Sequence, residues 1–226
     1  MVHRLHRAGA ILGLHYRSNP APVASYTGKD HVKLFQKDLD SAQACRELVD
    51  EYVEWAGGID ALVQLSGNIH RPVHWNEMDE EDWAFDLSAN LIMPYFCAVR
   101  AIHHMKGDGG RIILTSTASA AHGGGTTSLA YGVAKAGIEC VVKRLARDCA
   151  HDNILVNAIA PGFVSTKFHT ERMGRTPADL AERVTLIPLG RGGTPEEVAA
   201  TILFLLSEGG SYLTGAIIPL CGGEWI

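Results

Sequence analysis

The sequence predicts a single α/β domain in which helices wrap a parallel sheet. Three observations lead there. Short apolar, branched runs recur along the chain, amphipathic stretches of helical length separate most of them, and no repeat or interdomain linker breaks the alternation. A length of 226 residues, 46% apolar and 20% charged, suits one well-cored domain over residues 1–226.

The strand candidates are Ala10–His15, Val32–Phe35, Ala61–Leu65, Arg111–Thr115, Ile154–Ala160 and Ala216–Leu220. Between them, Ser41–Trp55 reads as a helix with Ser41 as its N-cap, followed by the long helices Asp79–Lys106 and Leu129–Ala150. Pro195–Ser207 carries Thr194 as cap and Pro195 at the first helical position, where its missing N–H costs nothing. The Pro-rich stretch Asn19–Val23 is too short to be a linker. Lys167–Leu189 has weak periodicity and contains Gly174 and Pro177, so it reads as a mobile lid.

Composition narrows the function classes. A net charge of -5 with no Lys/Arg-rich run offers no footprint for nucleic acid or an anionic membrane surface. The five cysteines are scattered and form no Cys-x-x-Cys pair, as expected of reduced thiols in a cytoplasmic protein. Met1–Gly9 lacks an apolar core, and no run approaches the ~20 residues of a membrane span, so neither export nor embedding is expected. His103 and His104 are adjacent and point apart on their helix, so no metal site is expected.

Chemistry concentrates at Tyr131-Gly-Val-Ala-Lys135. Residues four apart in a helix share a face, so the phenol and the ammonium can act on one small group. A free tyrosine has a pKa of ~10, and a neighbouring cation is expected to lower it toward neutrality, where it can exchange protons with a carbonyl or alcohol oxygen. Tyr-x-x-x-Lys alone is a weak motif, since many exposed helix faces contain it by chance.

Upstream lies Gly110-Arg-Ile-Ile-Leu-Thr-Ser-Thr117, a strand ending in hydroxyls; downstream lies Asn157-Ala-Ile-Ala-Pro-Gly-Phe-Val-Ser-Thr166. Trp83 precedes Asn90-Leu91 by seven residues, and Leu189-Gly-Arg-Gly-Gly-Thr-Pro-Glu-Glu-Val-Ala199, Tyr212-Leu-Thr-Gly215 and Gly222-Gly223 follow in order. This array resembles the short-chain dehydrogenase/reductase family from about Ala8 to the C-terminus, nearest in its C-terminal motifs to the 3-oxoacyl carrier-protein reductase branch. The resemblance implies a doubly wound, Rossmann-like parallel sheet. It implies Tyr131 as general acid/base, Lys135 as the group that tunes it and holds the nicotinamide ribose, and Asn90 as the residue positioning a relay water. Pro161, Gly162, Val164 and Thr166 match the segment lining the nicotinamide, Ser66 and Gly67 the small residues near the cofactor, and Asp38-Leu39 the pair meeting the adenine. Without the array, Asn90 would read as a locally bonded helix residue and Asp38 as a charge favourable to the following helix.

Three departures stand out. The catalytic serine position falls on Thr117, 14 residues before Tyr131, with Ser116 and Ser119 as the other hydroxyls that can take the role. Gln64-Leu-Ser-Gly67 replaces the usual Asn-Asn-Ala-Gly. The family's first strand and its Thr-Gly-x-x-x-Gly-x-Gly phosphate turn have no counterpart, so residues 1–8 resemble the tail of the first helix. Either the given chain is shortened at its start, or Ala10–His15 has moved into the vacant central place of the sheet. Weak dinucleotide binding is expected in the first case.

Arg17 and Ser18, at the end of the second family strand, offer a cation and a hydroxyl to a 2′-phosphate, so NADP(H) is expected over NAD(H). The leading expectation is a reductase of a ketone or the matching secondary-alcohol dehydrogenase. The alternative is a catalytically silent member serving as a binding or assembly subunit. Phe168, His169, Met173 and Leu180 suggest a mixed substrate wall and do not identify the substrate. Tyr95, Val99, Ile138 and Val142 are read as an outward apolar stripe on the two long helices, implying a homodimer or homotetramer.

Overall fold

The computed structural model describes residues 1–224, the side chain of Arg172 excepted. Its strands are β1 (Leu12–Tyr16), β2 (Val32–Gln36), β3 (Ala61–Val63), β4 (Gly110–Thr115), β5 (Ile154–Pro161) and β6 (Ile217–Leu220). Each expected strand is present within two residues of its expected ends. All pairings are parallel, but they form two sheets: β1 with β2, and β3-β4-β5-β6 in that order. Ala10–His15 has therefore not moved into the central place. Among the described residues β1 pairs with β2 alone, Leu12 facing Val32, and no ladder joins β1 to β3.

The helices are α1 (Val2–Arg7), α2 (Ala42–Ala56), α3 (Glu80–Leu87), α4 (Met93–Met105), α5 (Leu129–Cys149), α6 (Pro177–Thr185) and α7 (Pro195–Leu206). Alternation along β4 and β5 sends Ile112, Leu114, Val156 and Ala158 to one core, packed with Ala101 and Met105 of α4 and Ile138 and Val142 of α5. Ile113 and Ile159 point the other way, against Ile202 and Leu205 of α7. A sheet covered on both faces is the doubly wound arrangement, and it explains why these strands are apolar almost throughout.

Among the described residues no strand lies between the two sheets, and α2 ties them together. Val49 joins the core of the larger sheet, while the Tyr52 ring reaches β1 and its hydroxyl donates to Ile11 O at 3.2 Å. A Cβ at Gly13 would overlap that ring, so glycine lets the helix approach the strand. Asp50 of α2 accepts from Arg100 Nε and Nη2 at 2.6 and 2.9 Å, and lies 2.7 Å from His104 Nε2, both on α4. Met1 packs beside Ile113 and Ile159.

Two expectations need correction, and the segment Lys167–Leu189 gains a helix. Ile138 and Val142 are buried, because Ala130, Ala134, Ile138, Val142 and Ala146 form the core-facing stripe of α5 at four-residue spacing. The exposed apolar residues of these helices are Ile92, Tyr95, Val99 and Val133. The presumed lid contains α6, opened by Thr176 as N-cap with Asp179 completing a capping box and Pro177 in the first turn. Asp79–Lys106 is not one uniform helix: a π turn over Ser88–Ile92 joins α3 to α4. Among the described residues no helix is long and apolar enough to cross a membrane.

Asn157, buried on β5, fastens the last strand. Its Nδ2 donates to Leu213 O at 2.8 Å and its Oδ1 accepts from Ala216 N at 3.0 Å. Asn157→Ala orphans both backbone groups and should cost about 2–4 kcal/mol. Thermal unfolding followed by circular dichroism should show Tm lowered by about 5–10 °C; an unchanged Tm would mean that water replaces the amide.

Candidate active site

In an open parallel sheet, ligands meet the carboxyl ends of the strands. Here the ends of β3, β4 and β5 and the start of α5 surround a cleft of about 880 Å³.

The π turn acts from behind the cleft, through the loop after β3 that lines it. Winding past the usual spacing frees a carbonyl that an α-helix would bond, and Asn90, fully buried in that turn, takes it: its Nδ2 donates to Asp86 O at 2.9 Å. The same nitrogen donates to Asn68 O at 2.6 Å, and Oδ1 accepts from Asn68 N at 3.1 Å. Asn90 thus clamps the loop after β3 to the helix. A Cβ on Gly67 would come within 2.7 Å of Asn90 Oδ1 and 3.5 Å of Lys135 Nζ, so only glycine fits there.

Tyr131 and Lys135 stand on the first turns of α5. Lys135 is 2% exposed; its Nζ donates to Thr115 O, at the end of β4, at 2.8 Å and lies 5.5 Å from the Tyr131 ring centroid. Burial pushes the ammonium down to about 8. Burial first, and then the Asp86 carboxylate, push the Tyr131 phenol up to about 12. This reverses the expectation that Lys135 brings the phenol toward neutrality. The ammonium spends a proton on a backbone carbonyl, whereas Asp86, itself buried and raised by desolvation, sits at the helix start. Asp86 accepts the His70 N–H at 2.8 Å and bonds the backbone N–H of Tyr131.

The three hydroxyls separate. Ser116 is buried in the cleft wall, and its hydroxyl donates to Glu139 Oε1 of α5 at 2.7 Å. Thr117 Oγ1 donates to Pro161 O at 3.3 Å and lies 3.2 Å from Ser119 Oγ, and both residues line the cleft. Gly67, Pro161, Gly162, Val164 and Thr166 line it too. A bridge from Val164 to Gly193 holds that segment. Arg17, Ser18, Asp38, Leu39 and Ser66 are not in its lining. Arg17 and Ser18 are exposed beyond β1, Leu39 packs with Cys45, Met93 and Cys97, and Ser66 donates to Gln64 Oε1 at 2.8 Å.

The cleft also holds His122, Arg175, Arg183 and Glu224, which the sequence reading missed. The Thr176-x-x-Asp179 capping signal would have marked the start of α6, between Arg175 and Arg183, but not its place beside the cleft. His169 is pushed down to about 4 by burial and then by the two guanidiniums. A nicotinamide nucleotide fits the Lys135, Tyr131 and Gly162 end. At the other end Met1, Val2, His3, Pro22, Val23 and Tyr26 present neither a glycine turn nor the start of a long helix to a pyrophosphate.

A buried ammonium whose hydrogen bond goes to an uncharged carbonyl is a stability cost kept for function. Its folded pKa lies below its unfolded value, so below about pH 8 the charge opposes folding, and stability rises with pH between about 8 and the unfolded value. Lys135→Met should raise Tm at pH 7 by about 2–4 °C per kcal/mol released and flatten its rise above pH 8. A lower Tm at both pH values would show that the Thr115 contact outweighs desolvation.

Comparison with known proteins agrees with this arrangement. The family described as enoyl-(acyl carrier protein) reductase matches residues 1–224. A 3-oxoacyl-(acyl-carrier-protein) reductase of Chlamydia pneumoniae is 36% identical over 216 residues, covering 94% of this chain and 85% of its own. One from Thermotoga maritima is 38% identical over 180 residues, covering 79% and 71%. The crystal structure of a putative short-chain alcohol dehydrogenase from Sinorhizobium meliloti superposes with a TM-score of 0.86 at 29% identity, covering 97% of this chain and 88% of its own. The chain belongs to the short-chain dehydrogenase/reductase family and is a nicotinamide-dependent oxidoreductase acting on carbonyl or alcohol groups.

Proposed function

We propose that the protein is an NADP(H)-dependent reductase of a ketone, working through Tyr131 as proton donor. The observation that carries this reading is the convergence of Tyr131, Lys135 and Thr117 on one cleft at the ends of β4 and β5. The nicotinamide, when bound, supplies the hydride. Thr117 turns its one hydroxyl proton from Pro161 O to the substrate oxygen, and Lys135 holds the ribose. Asn90 keeps Gly67 and its loop against both, which leaves Lys135 beside the phenol. A phenol raised to about 12 keeps its proton at neutral pH and is ready to give it to a carbonyl oxygen, which favours reduction. Arg17 and Ser18 after β1 support the 2′-phosphorylated nucleotide. The names of the acyl-carrier-protein reductases among the relatives support a 3-oxoacyl compound as one candidate ketone.

A second reading, a catalytically silent assembly subunit, is favoured by the far wall of the cleft, which lacks a pyrophosphate cradle. Turnover separates the two. Ketone reduction assayed with NADPH and NADH should fall at least a hundredfold in Tyr131→Phe, and should decline as pH rises through about 8, where Lys135 loses its charge. Most of the activity surviving in the Phe variant would remove Tyr131 from the reaction.

Assembly belongs to the same proposal. Ile92 at the end of the π turn, Tyr95 and Val99 on α4 and Val133 on α5 are exposed, which supports a homodimer or homotetramer through this face. Light scattering at micromolar concentration should give a multiple of the 24.4 kDa chain mass; a monomer would rule it out.

A further inference from the structure

Ser116, Thr117 and Ser119 crowd the end of β4, and the reaction proposed above uses the hydroxyl of Thr117 alone. What sets Ser116 apart is a carboxylate on α5 that lies outside the cleft lining. Tyr131, Lys135 and Glu139 follow at four-residue spacing along that helix, so they share one face. The end of β4 meets this face at successive residues. Thr115 O accepts from Lys135 Nζ at 2.8 Å. The Ser116 hydroxyl donates to Glu139 Oε1 at 2.7 Å, with Lys135 O as a second acceptor at 3.2 Å. Ser116 N donates to Ile159 O at 2.8 Å, which ties the same joint to β5.

The distances decide which hydroxyl stays free. Each hydroxyl has one proton to give. That of Ser116 goes to a carboxylate, at a length in the charge-assisted range, and such bonds are roughly twice as strong as neutral ones. That of Thr117 goes to the Pro161 carbonyl at 3.3 Å, beyond the usual limit of about 3.0 Å for an O–H···O bond, and is released at little cost. The bond also fixes a separation. Thr117 is the next residue after Ser116, and Tyr131 stands about two turns before Glu139 on α5. How far the substrate-binding hydroxyl lies from the phenol therefore depends on the joint between β4 and α5, and a misplacement of about 1 Å at a reacting centre can cost roughly a hundredfold in rate.

Resting on the roles of Tyr131 and Thr117 proposed above, we infer that Glu139 is a positioning residue for the reaction. Through Ser116 it holds the end of β4 against α5 at the separation that Thr117 and Tyr131 need, and it keeps the Ser116 proton from competing for the substrate oxygen. A glutamine at 139 retains an acceptor oxygen in that place, whereas a leucine retains the bulk and removes the acceptor.

The test follows reduction of ethyl acetoacetate by NADPH and by NADH. Glu139→Leu and Ser116→Ala should each lower kcat at least tenfold with KM within twofold of wild type, as expected of a contact used in the transition state and not in binding. Glu139→Gln should stay within threefold. Because the two residues share one bond, the double variant S116A/E139L should lose no more than the worse single variant. In the protein without cofactor, amide hydrogen exchange over residues 115–119 should quicken at least tenfold in Glu139→Leu and Ser116→Ala and not in Glu139→Gln. Should the leucine variant fail to fold, Ser116→Ala against Glu139→Gln carries the comparison. Full kcat in Glu139→Leu, an equal loss in Glu139→Gln, or multiplied losses in the double variant overturns the proposal and leaves Tyr131 as proton donor, which Tyr131→Phe checks in the same assay. A raised KM with unchanged kcat assigns Glu139 to binding and overturns it as well. Unchanged exchange over 115–119 overturns it whatever the turnover. Wild-type protein that reduces neither ethyl acetoacetate nor any simple ketone overturns the proposal together with the reading beneath it.

Discussion

The site depends on one buried charge. Lys135 leaves solvent almost completely, and the Thr115 carbonyl that receives its proton belongs to the last residue of β4. That contact fixes α5 against the strand end, and the helix then sets where Tyr131 points. Thr115 is itself held, its hydroxyl donating to Gln64 O at 2.7 Å, so the loop after β3 is drawn into the same construction. Glycine at 67 follows directly, because the loop must pass between Asn90 and the ammonium with no room for a side chain. Two strand ends and two helices are thereby locked around one cation, which rigid sites of this kind require.

The electrostatics of the phenol come from the same packing. Lys135 Nζ lies 5.5 Å from the ring centroid, while Asp86 lies near the helix start with its carboxylate bonded to His70 N–H. Both the cation and the phenol lose hydration, so their proton affinities move apart from what a surface Tyr/Lys pair would show. A phenol that holds its proton is an acid first and a base second. The asymmetry arises from burial and not from the motif.

The divided sheet poses a separate problem and solves it with α2. Without a ladder between β1 and β3, the small sheet is attached through the Tyr52 ring over Gly13 and through the Asp50 contacts with Arg100 and His104. Cys45, Met93 and Cys97 fill the seam between α2 and α4, with Leu39 against them. Leu39 thus serves packing, although its motif position suggested adenine, and Arg17 and Ser18 remain exposed at the rim of a sheet that shares no ladder with the rest.

Local and periodic features were legible in the chain. Ser41 and Thr194 mark helix starts by their own side-chain bonds to backbone N–H groups, and the apolar runs of β4 and β5 state their burial without reference to partners. The motif array likewise located Tyr131, Lys135, Thr117 and Pro161 through Thr166, because order and spacing survive folding. What the spacing did not contain was the face of α5 turned to the sheet, which buried Ile138 and Val142, or the π turn that aims Asn90 inward. Nor did it show that Ser116 bonds Glu139, or that Arg183 meets Glu224, 41 positions later in the chain. The sequence by itself determined the strands, the helix caps and the placing of Tyr131 and Lys135 one turn apart on α5, since each rests on neighbours a few residues away. Only the tertiary structure decided the protonation of that pair, the parting of the sheet and the composition of the cleft wall, because desolvation and long-range contact exist only once distant segments pack together.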